Sequence, residues 1–179
     1  MSTVLVILAE GFEEVELIAP VDLLRRAGAK VTIAALGDGI HVVGRCGIVM
    51  HADTLLTAVE SHDFDCLVLP GGPGTKLLRA DPRVNALVLR QHRAGRQIAA
   101  FCAVPTVLHD AGLLKGRRFT AHHSVAAEIP TLLSDERVVL DGGVLTSRGA
   151  GTAVEFGLAL VELLFGAASR EEVAKAIAY

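Results

Sequence analysis

Cys102 lies between an apolar segment and a predicted helix, in the sequence IAAFCAVPT. Residues 98–101 have the composition of a short buried strand, and residues 104–111 that of the helix after it. A thiol on such a turn would face the crevice at the end of a sheet. We expect the helix N-terminus to favour the nucleophilic thiolate. Because cysteine is often buried and inert, position alone leaves a catalytic and a structural interpretation open.

A glycine-rich segment, LPGGPG, follows another predicted strand, Cys66–Leu69. Glycine is needed where the backbone approaches a ligand closely or adopts positive φ. The N–H of Gly72 could therefore join that of Ala103 in an oxyanion hole, with Gly71 beside them. An ordinary tight turn has the same composition, so both interpretations stay open. The lysine and hydroxyl of a phosphate-binding P-loop are missing in register.

Three acidic residues, Glu13, Glu14 and Glu16, stand at the start of the first predicted helix in the segment GFEEVE. Acids in a first helical turn usually interact with the helix dipole. Three of them exceed that need, and one that points into the crevice would face the thiol. A carboxyl group in a partly dry site has a raised pKa and can carry protons. Spacing alone does not choose among the three.

His122 and His123 follow a predicted strand at residues 119–121. One of them, placed near Cys102, could act as a general acid–base or favour the thiolate. They could equally be a pair of surface histidines. A zinc site is a third interpretation, but the chain has no CxxC or HxxxH pair, and adjacent histidines rarely point the same way.

The elements that must position these residues alternate between strand and helix. The apolar run at residues 4–9 predicts a strand covered on both faces, and Glu14–Arg26 predicts a helix. This alternation continues along the chain and predicts one domain with a doubly wound, mostly parallel sheet. The remaining predictions are strands at 30–36, Cys66–Leu69, Gln97–Phe101, 119–121, 137–140 and Val144–Ser147, a hairpin turn at 37–47 pairing into 48–51, and helices at 84–93, 104–111, 153–164 and 169–178, the last with Ser169 as its N-cap.

Ligands of such sheets bind outside the carboxyl ends of the strands. All four segments with chemically interesting residues, AEGFEEVE, LPGGPG, FCAVPT and AHHS, follow predicted strands. We therefore expect them to meet at one end of the sheet.

Composition narrows the class of protein. Hydrophobic residues make up 51% and charged residues 21% of 179 residues, which supports a substantial core. The net charge is -3 and there is no long basic or apolar run, so neither nucleic acid nor a membrane is expected as a partner. Three cysteines (Cys46, Cys66 and Cys102) without paired spacing fit a reducing, cytoplasmic location, and Cys66 is expected in the core.

Taken together, these segments resemble the DJ-1/ThiJ/PfpI superfamily over almost the whole chain. The motifs that carry the resemblance are LAEGFEEVE, PVDLLRRAGAKV, LVLPGG, IAAFCAVPT, the histidine after FTA, and LTSRGAGTAVEFGLALVELL. The resemblance implies a flavodoxin-like α/β sandwich with helices on both faces, formed by residues 1–179 as one DJ-1/PfpI-type (class I glutamine amidotransferase-like) domain. It also implies a homodimer.

For the site, the resemblance implies that Cys102 is the nucleophile, that Glu16 is hydrogen-bonded to its sulfur, and that His122 is the family histidine. Gly72 and Ala103 match the backbone N–H donors. Protease-like members carry Cys-His, whereas this chain has Cys-Ala, which argues against peptidase activity.

The chain also departs from the family pattern. In the segment VVGRCGIVM, Cys46 falls where the family has an arginine that lines the partner's side of the pocket, and Arg45 comes one position early. Arg45, Gly71 and His123 are therefore carried as candidate pocket residues.

The activity implied is a glutathione-independent glyoxalase that converts methylglyoxal or a related 2-oxoaldehyde to a hydroxy acid without a metal or cofactor. Deglycation of protein adducts would use the same first step. The alternative is a redox-responsive stress protein or chaperone in which Cys102 is oxidised. An acid–base residue such as His122 would be needed for turnover by an enzyme, whereas oxidation of Cys102 in a sensor would hardly depend on it.

Overall fold

Nine strands build the sheets of the computed structural model, which describes residues 1–179. In chain order they are Thr3–Leu8 (β1), Lys30–Ala35 (β2), His41–Val43 (β3), Val49–His51 (β4), Thr54–Leu55 (β5), Cys66–Leu69 (β6), Gln97–Phe101 (β7), Val138–Asp141 (β8) and Val144–Ser147 (β9). Seven form one sheet in the order β5-β2-β1-β6-β7-β9-β8, in which only β8 runs antiparallel to its neighbour. The hairpin β3–β4 forms a separate two-stranded sheet.

Helices cover both faces of the large sheet. They are Glu14–Arg26 (α1), Leu56–Val59 (α2), Thr75–Ala80 (α3), Pro82–Arg93 (α4), Pro105–Asp110 (α5), Ala153–Phe165 (α6) and Ala167–Ala176 (α7). Side chains of β1 alternate between two apolar clusters: Val4 and Val6 pack with α1 and α6, and Leu5 and Ile7 pack with α4 and α5. Burial on both sides explains the continuous apolar run of this strand. The predicted flavodoxin-like α/β fold is confirmed.

Several predicted elements differ from the structure. Residues 119–121 form no strand, because the backbone N–H of Thr120 donates to a side chain, Thr146 Oγ1 at 3.0 Å, and not to a backbone carbonyl of β9. The last helix begins at Ala167, so Ser169 lies inside it and is not the N-cap. The hydroxyl of Ser169 donates to the carbonyl of Phe165, the last residue of α6. The short elements β5, α2 and α3 were not predicted.

The site lies at the carboxyl ends of β6 and β7. These strands are parallel neighbours, with Leu69 opposite Ala100, so the loops that follow them leave the sheet side by side. The N-terminus of α1 lies against the first of these loops, because Glu13 N–H donates to the carbonyl of Gly71 at 2.9 Å. No helix of the chain combines the length and the apolar character required to cross a bilayer.

Candidate active site

Cys102 occupies a strained turn directly after β7. Its φ is 56°, which is unusual for a residue with a side chain. Two backbone hydrogen bonds of 2.8 Å hold it there: its N–H donates to the carbonyl of Ser147, and its carbonyl accepts from His122 N–H. The surrounding loops thus impose the conformation, and the half-buried thiol lines a cavity.

Glu16 is the acid that meets the cysteine. Glu16 is 1% exposed, its Oε2 accepts a 2.8 Å hydrogen bond from Gly71 N–H, and the carboxyl group lies next to Cys102 on the other side of Gly71. Burial raises the pKa of Glu16 to about 7, assisted by the charge of Glu13, although the Gly71 N–H, Cys102 and Arg45 oppose the rise. A carboxyl group with this pKa exchanges protons readily near neutrality.

The other two acids of GFEEVE hold the β3–β4 hairpin. Glu13 forms an ion pair of 3.2 Å with Arg45. Glu14 is buried, and its Oε1 accepts from Cys46 N–H at 2.8 Å. The structure therefore resolves the choice that spacing left open, because Glu16 is the one of the three that lies next to Cys102.

The backbone around the thiol carries the predicted N–H donors. The N–H groups of Gly72 and Ala103 lie close enough to the sulfur of Cys102 to lower the pKa of its thiol. Gly71 has no room for a side chain, since a Cβ there would lie 2.6 Å from the Cβ of Cys102 and 2.7 Å from Oε2 of Glu16. Gly72 has a φ of 89°, a conformation that favours glycine.

The thiol is not acidic in the resting protein, and the expectation that the following helix favours the thiolate is wrong. Burial, and then the charge of Glu16, raise the pKa of Cys102 to about 12, whereas the N–H groups of Gly72 and Ala103 lower it. The helix α5 has only six residues, and its effect does not outweigh this desolvation. Cys102 therefore rests as a thiol beside a carboxyl group that can take its proton.

His122 borders the same space. A Cβ placed on Gly149 would lie 3.5 Å from the ring of His122 and 4.0 Å from Oε1 of Glu16. The Nδ1 atom of His122 accepts from Ser124 N–H at 3.3 Å and lies 2.8 Å from Ser124 Oγ. Burial lowers the pKa of His122, followed by the charges of His123 and Arg45. The neutral ring therefore carries its proton on Nε2.

His123 stacks on its neighbour instead of pointing away, with the two ring centroids 4.0 Å apart. It is exposed and does not line the cavity at Cys102, so its assignment as a pocket residue is not supported. No group of three or more His, Cys, Asp or Glu side chains in the chain could hold a metal ion.

The cavity in front of Cys102 has a volume of about 380 Å³. Arg45, from the β3–β4 hairpin of the same chain, lines it. Other lining residues that the sequence motifs had pointed to are Gly72, Cys102, Ala103 and His122. The pocket thus combines a thiol, an imidazole and two backbone donors, while the carboxyl group of Glu16 lies buried behind the thiol and, like Gly71, does not line the pocket.

The family model described as the DJ-1/PfpI family matches residues 2–163. The chain belongs to the DJ-1/PfpI family. It is 42% identical to protein dj-1beta of Drosophila melanogaster over 177 residues, which cover 97% of this chain and 95% of that protein. It is 31% identical to deglycase TK1284 of Thermococcus kodakarensis, covering 90% and 98% of the two chains. It spans 40% and 45% of the length of the Arabidopsis thaliana DJ-1 homologs B and A.

Solved structures of the DJ-1 type share the fold. The crystal structure of Drosophila DJ-1beta has a TM-score of 0.95 and covers 99% of this chain and 98% of its own. The oxidised Toxoplasma gondii DJ-1 is 34% identical and also has a TM-score of 0.95. The match covers 100% of this chain and 99% of the Toxoplasma chain.

Several residues of this DJ-1/PfpI family site were missed by sequence reasoning. Thr75, Lys76, Arg79, Ser124 and Glu128 also line the cavity. They belong to none of the motifs, and polar or charged residues of this kind are common on any surface helix or loop, so their types alone gave no signal. Only Ser124 had a signal, its position two residues after His122.

Proposed function

We propose that this DJ-1/PfpI family member is a glutathione-independent glyoxalase acting on 2-oxoaldehydes through Cys102. The placement of the Glu16 carboxyl group next to the Cys102 thiol, which lines the cavity, carries the proposal. It gives a nucleophile that keeps its proton until a substrate arrives, beside a group able to accept that proton. A relative named as a deglycase supports carbonyl chemistry in the family.

The first step forms a carbon–sulfur bond. The sulfur of Cys102 attacks the aldehyde carbon while its proton passes to the carboxylate of Glu16. The carbonyl π electrons move to oxygen, and the N–H groups of Gly72 and Ala103 stabilise that oxyanion. Glu16 then returns the proton to the oxygen, which gives a neutral hemithioacetal.

The second step moves a proton between two carbons. Glu16, again a carboxylate, removes the hydrogen from the hemithioacetal carbon, and Nε2–H of His122 gives its proton to the oxygen of the neighbouring ketone, which produces an enediol. Glu16 then returns its proton to that second carbon. The hydroxyl on the first carbon gives its proton back to Nε2 of His122 and becomes a carbonyl, which leaves a thioester of the 2-hydroxy acid.

Hydrolysis completes the turnover. Water attacks the thioester, the carbon–sulfur bond breaks, and Cys102 recovers its proton as a thiol. The net reaction adds one water to the 2-oxoaldehyde and gives one 2-hydroxy acid, with no change in the redox state of the protein. No metal or organic cofactor takes part. Deglycation would begin with the same attack of Cys102, on a carbonyl adduct of an amine.

A redox-responsive protein is the second candidate. The structural neighbour from Toxoplasma gondii was solved in an oxidised form, which supports this alternative. In this chain Gly72 and Ala103 N–H face the sulfur and would donate to the oxygens of a sulfinate.

His122→Ala separates the two functions. If the protein is a glyoxalase, the variant loses methylglyoxal turnover and keeps the wild-type rate of Cys102 oxidation by hydrogen peroxide, measured by peptide mass spectrometry. The matched control is His109→Ala, on α5 and outside the cavity. Unchanged turnover in His122→Ala would contradict the proposed role of this residue.

We also propose that the protein is a cytoplasmic homodimer. The absence of paired cysteines supports the location. Exposed apolar residues support dimer formation. Val15 and Ile18 of α1, and Ile48 and Val49 of the hairpin, are 45–56% exposed. Glu14 of α1 binds the hairpin through Cys46 N–H, so these residues belong to adjacent elements.

A further inference from the structure

Two histidines face each other across the β3–β4 hairpin. His41 and His51 are partners in the antiparallel register, and their ring centroids lie 4.9 Å apart with the ring planes at 88°. Both residues are exposed. Among the seven histidines of the chain, only the ring of His122 makes a hydrogen bond within the protein. The ring nitrogens of His41 and His51 are therefore free to bind a ligand.

The register of the hairpin places this pair where cross-strand side chains come closest. The neighbouring pair is hydrogen-bonded, because Ala52 N–H donates to the carbonyl of Ile40 at 2.7 Å. Hydrogen-bonded and non-hydrogen-bonded pairs alternate along an antiparallel ladder, so His41 and His51 form a non-hydrogen-bonded pair. The Cα atoms of such a pair are only about 4.5 Å apart. The backbone itself thus holds the two imidazoles together.

The surroundings of His41 are acidic. With Glu10 and Asp38 it lines a cavity of about 540 Å³ beside the carboxyl ends of β1 and β2. Neither carboxylate takes part in an ion pair, whereas Asp81, the third acid of the cavity, pairs with Arg83. The cavity therefore has a net negative charge, which attracts a cation.

We propose that His41 and His51 together bind one divalent transition-metal ion of the Ni²⁺, Cu²⁺ and Zn²⁺ type. Imidazole nitrogen is a preferred ligand of these ions. The χ2 torsion of histidine is broad, so rotation of the exposed rings turns one nitrogen of each toward a shared ion at about 2.0–2.1 Å. Water completes the coordination. Neither histidine lines the Cys102 cavity, so this site is independent of the proposed glyoxalase.

A bound ion would tie β3 to β4. The turn between these strands carries Arg45, which lines the Cys102 cavity. Since the two histidines are held together only in the folded hairpin, metal binding should stabilise the folded chain.

Calorimetric titration of the untagged protein with Ni²⁺ tests the site. Ni²⁺ is the probe because it binds imidazole and does not oxidise the thiols. The wild type should bind one ion per chain. Loss of a group that merely orients a metal ligand costs about 10- to 100-fold in affinity, so His41→Gln and His51→Gln should each weaken binding at least about tenfold. The matched control is His92→Gln, exposed on α4, which should keep the wild-type Kd.

Two rival sites are excluded by further variants. The rings of His122 and His123 are also neighbours, with centroids 4.0 Å apart, and the thiol of Cys46 is exposed. His123→Gln and Cys46→Ser should leave the affinity for Ni²⁺ unchanged. Loss of binding in either, or wild-type affinity in His41→Gln, would overturn the proposal. One ion per two chains would overturn the assignment to a single hairpin.

Thermal stability gives a second readout. Ni²⁺ at about 100 times its Kd should raise the melting temperature of the wild type by about 5–10 °C. His51→Gln should melt with the wild type in the absence of metal, because the residue is exposed, and should gain no such shift from Ni²⁺. A wild type whose melting temperature ignores Ni²⁺, or an equal shift in both proteins, would contradict the proposal.

Discussion

Glu16 and Cys102 lie next to each other on the two sides of Gly71 at the carboxyl end of the sheet, although 86 positions separate them in the sequence. Burial raises the pKa of both groups, to about 7 for Glu16 and about 12 for Cys102. Since each group disfavours a charge on the other, the pair holds one negative charge at most near neutrality. The same coupling allows the thiol proton to leave when the sulfur attacks a carbonyl.

The buried carboxyl group of Glu16 should make stability depend on pH. Its pKa rises from 4.5 to about 7 on folding, so the folded state binds the proton more tightly. The contribution of Glu16 to stability is therefore greatest below pH 4.5 and falls by about 3 kcal/mol as the pH rises to 7. Urea unfolding of wild type and Glu16→Gln across this range measures the difference. The difference should grow with pH, with Glu16→Gln the more stable above pH 7; a constant difference would contradict the raised pKa.

The same substitution should make Cys102 more reactive toward iodoacetamide while it abolishes turnover. Glu16→Gln removes the charge that raises the pKa of the thiol, so more thiolate forms at pH 8. Each pKa unit of decrease gives about tenfold more thiolate and a correspondingly faster alkylation. Rates at Cys102 are compared with those of Glu172→Gln, an exposed control. Slower alkylation of Glu16→Gln would show that Glu16 activates the resting thiol instead.

Gly71→Ala should impair catalysis more than folding. The new Cβ would meet Cys102 and Glu16 at 2.6 and 2.7 Å, which forces the two reacting groups apart. A displacement of reacting groups by about 1 Å can reduce kcat by about 100-fold. Gly37→Ala is the matched control, because a Cβ there has no neighbour within 4 Å. Equal kcat values for the two variants would contradict the close packing proposed for the site.

A charged substitution on the exposed apolar surface of α1 and the hairpin tests dimer formation. Sedimentation of the wild type at micromolar concentration should show a dimer, and Ile48→Asp should shift it to monomer, because the carboxylate would be buried without a partner. Leu140→Asp, on β8 at the far edge of the sheet and equally exposed, should leave the dimer intact. A monomeric wild type would refute the proposal.

Much of the fold could be predicted because its signals are local. The apolar run of β1, for example, is continuous because helices cover both faces of the sheet. The segment at 119–121 has the burial of a strand without its backbone pairing, because Thr120 N–H donates to the side chain of Thr146 in β9 and not to a backbone carbonyl of that strand.

The site was predictable in position and less so in detail. Cys102 and Gly72 follow neighbouring parallel strands, so they could be expected together, whereas His122 follows no strand and is placed by the hydrogen bond from its N–H to the carbonyl of Cys102. The choice among Glu13, Glu14 and Glu16 depends on the orientation of α1, since successive residues of a helix turn by about 100°. The pKa of Cys102 depends on how deeply the thiol is buried, and no local pattern records that depth. The pairing of His41 with His51 likewise depends on the register of the β3–β4 hairpin.

The most direct test of the central claim is formation of lactate from methylglyoxal without glutathione, by wild type, Cys102→Ser and Cys46→Ser. Cys46 is exposed and lies outside the cavity, so it serves as the matched cysteine control. The proposed function predicts turnover by wild type and Cys46→Ser and none by Cys102→Ser. Turnover retained in Cys102→Ser, or absent from the wild type, would contradict it.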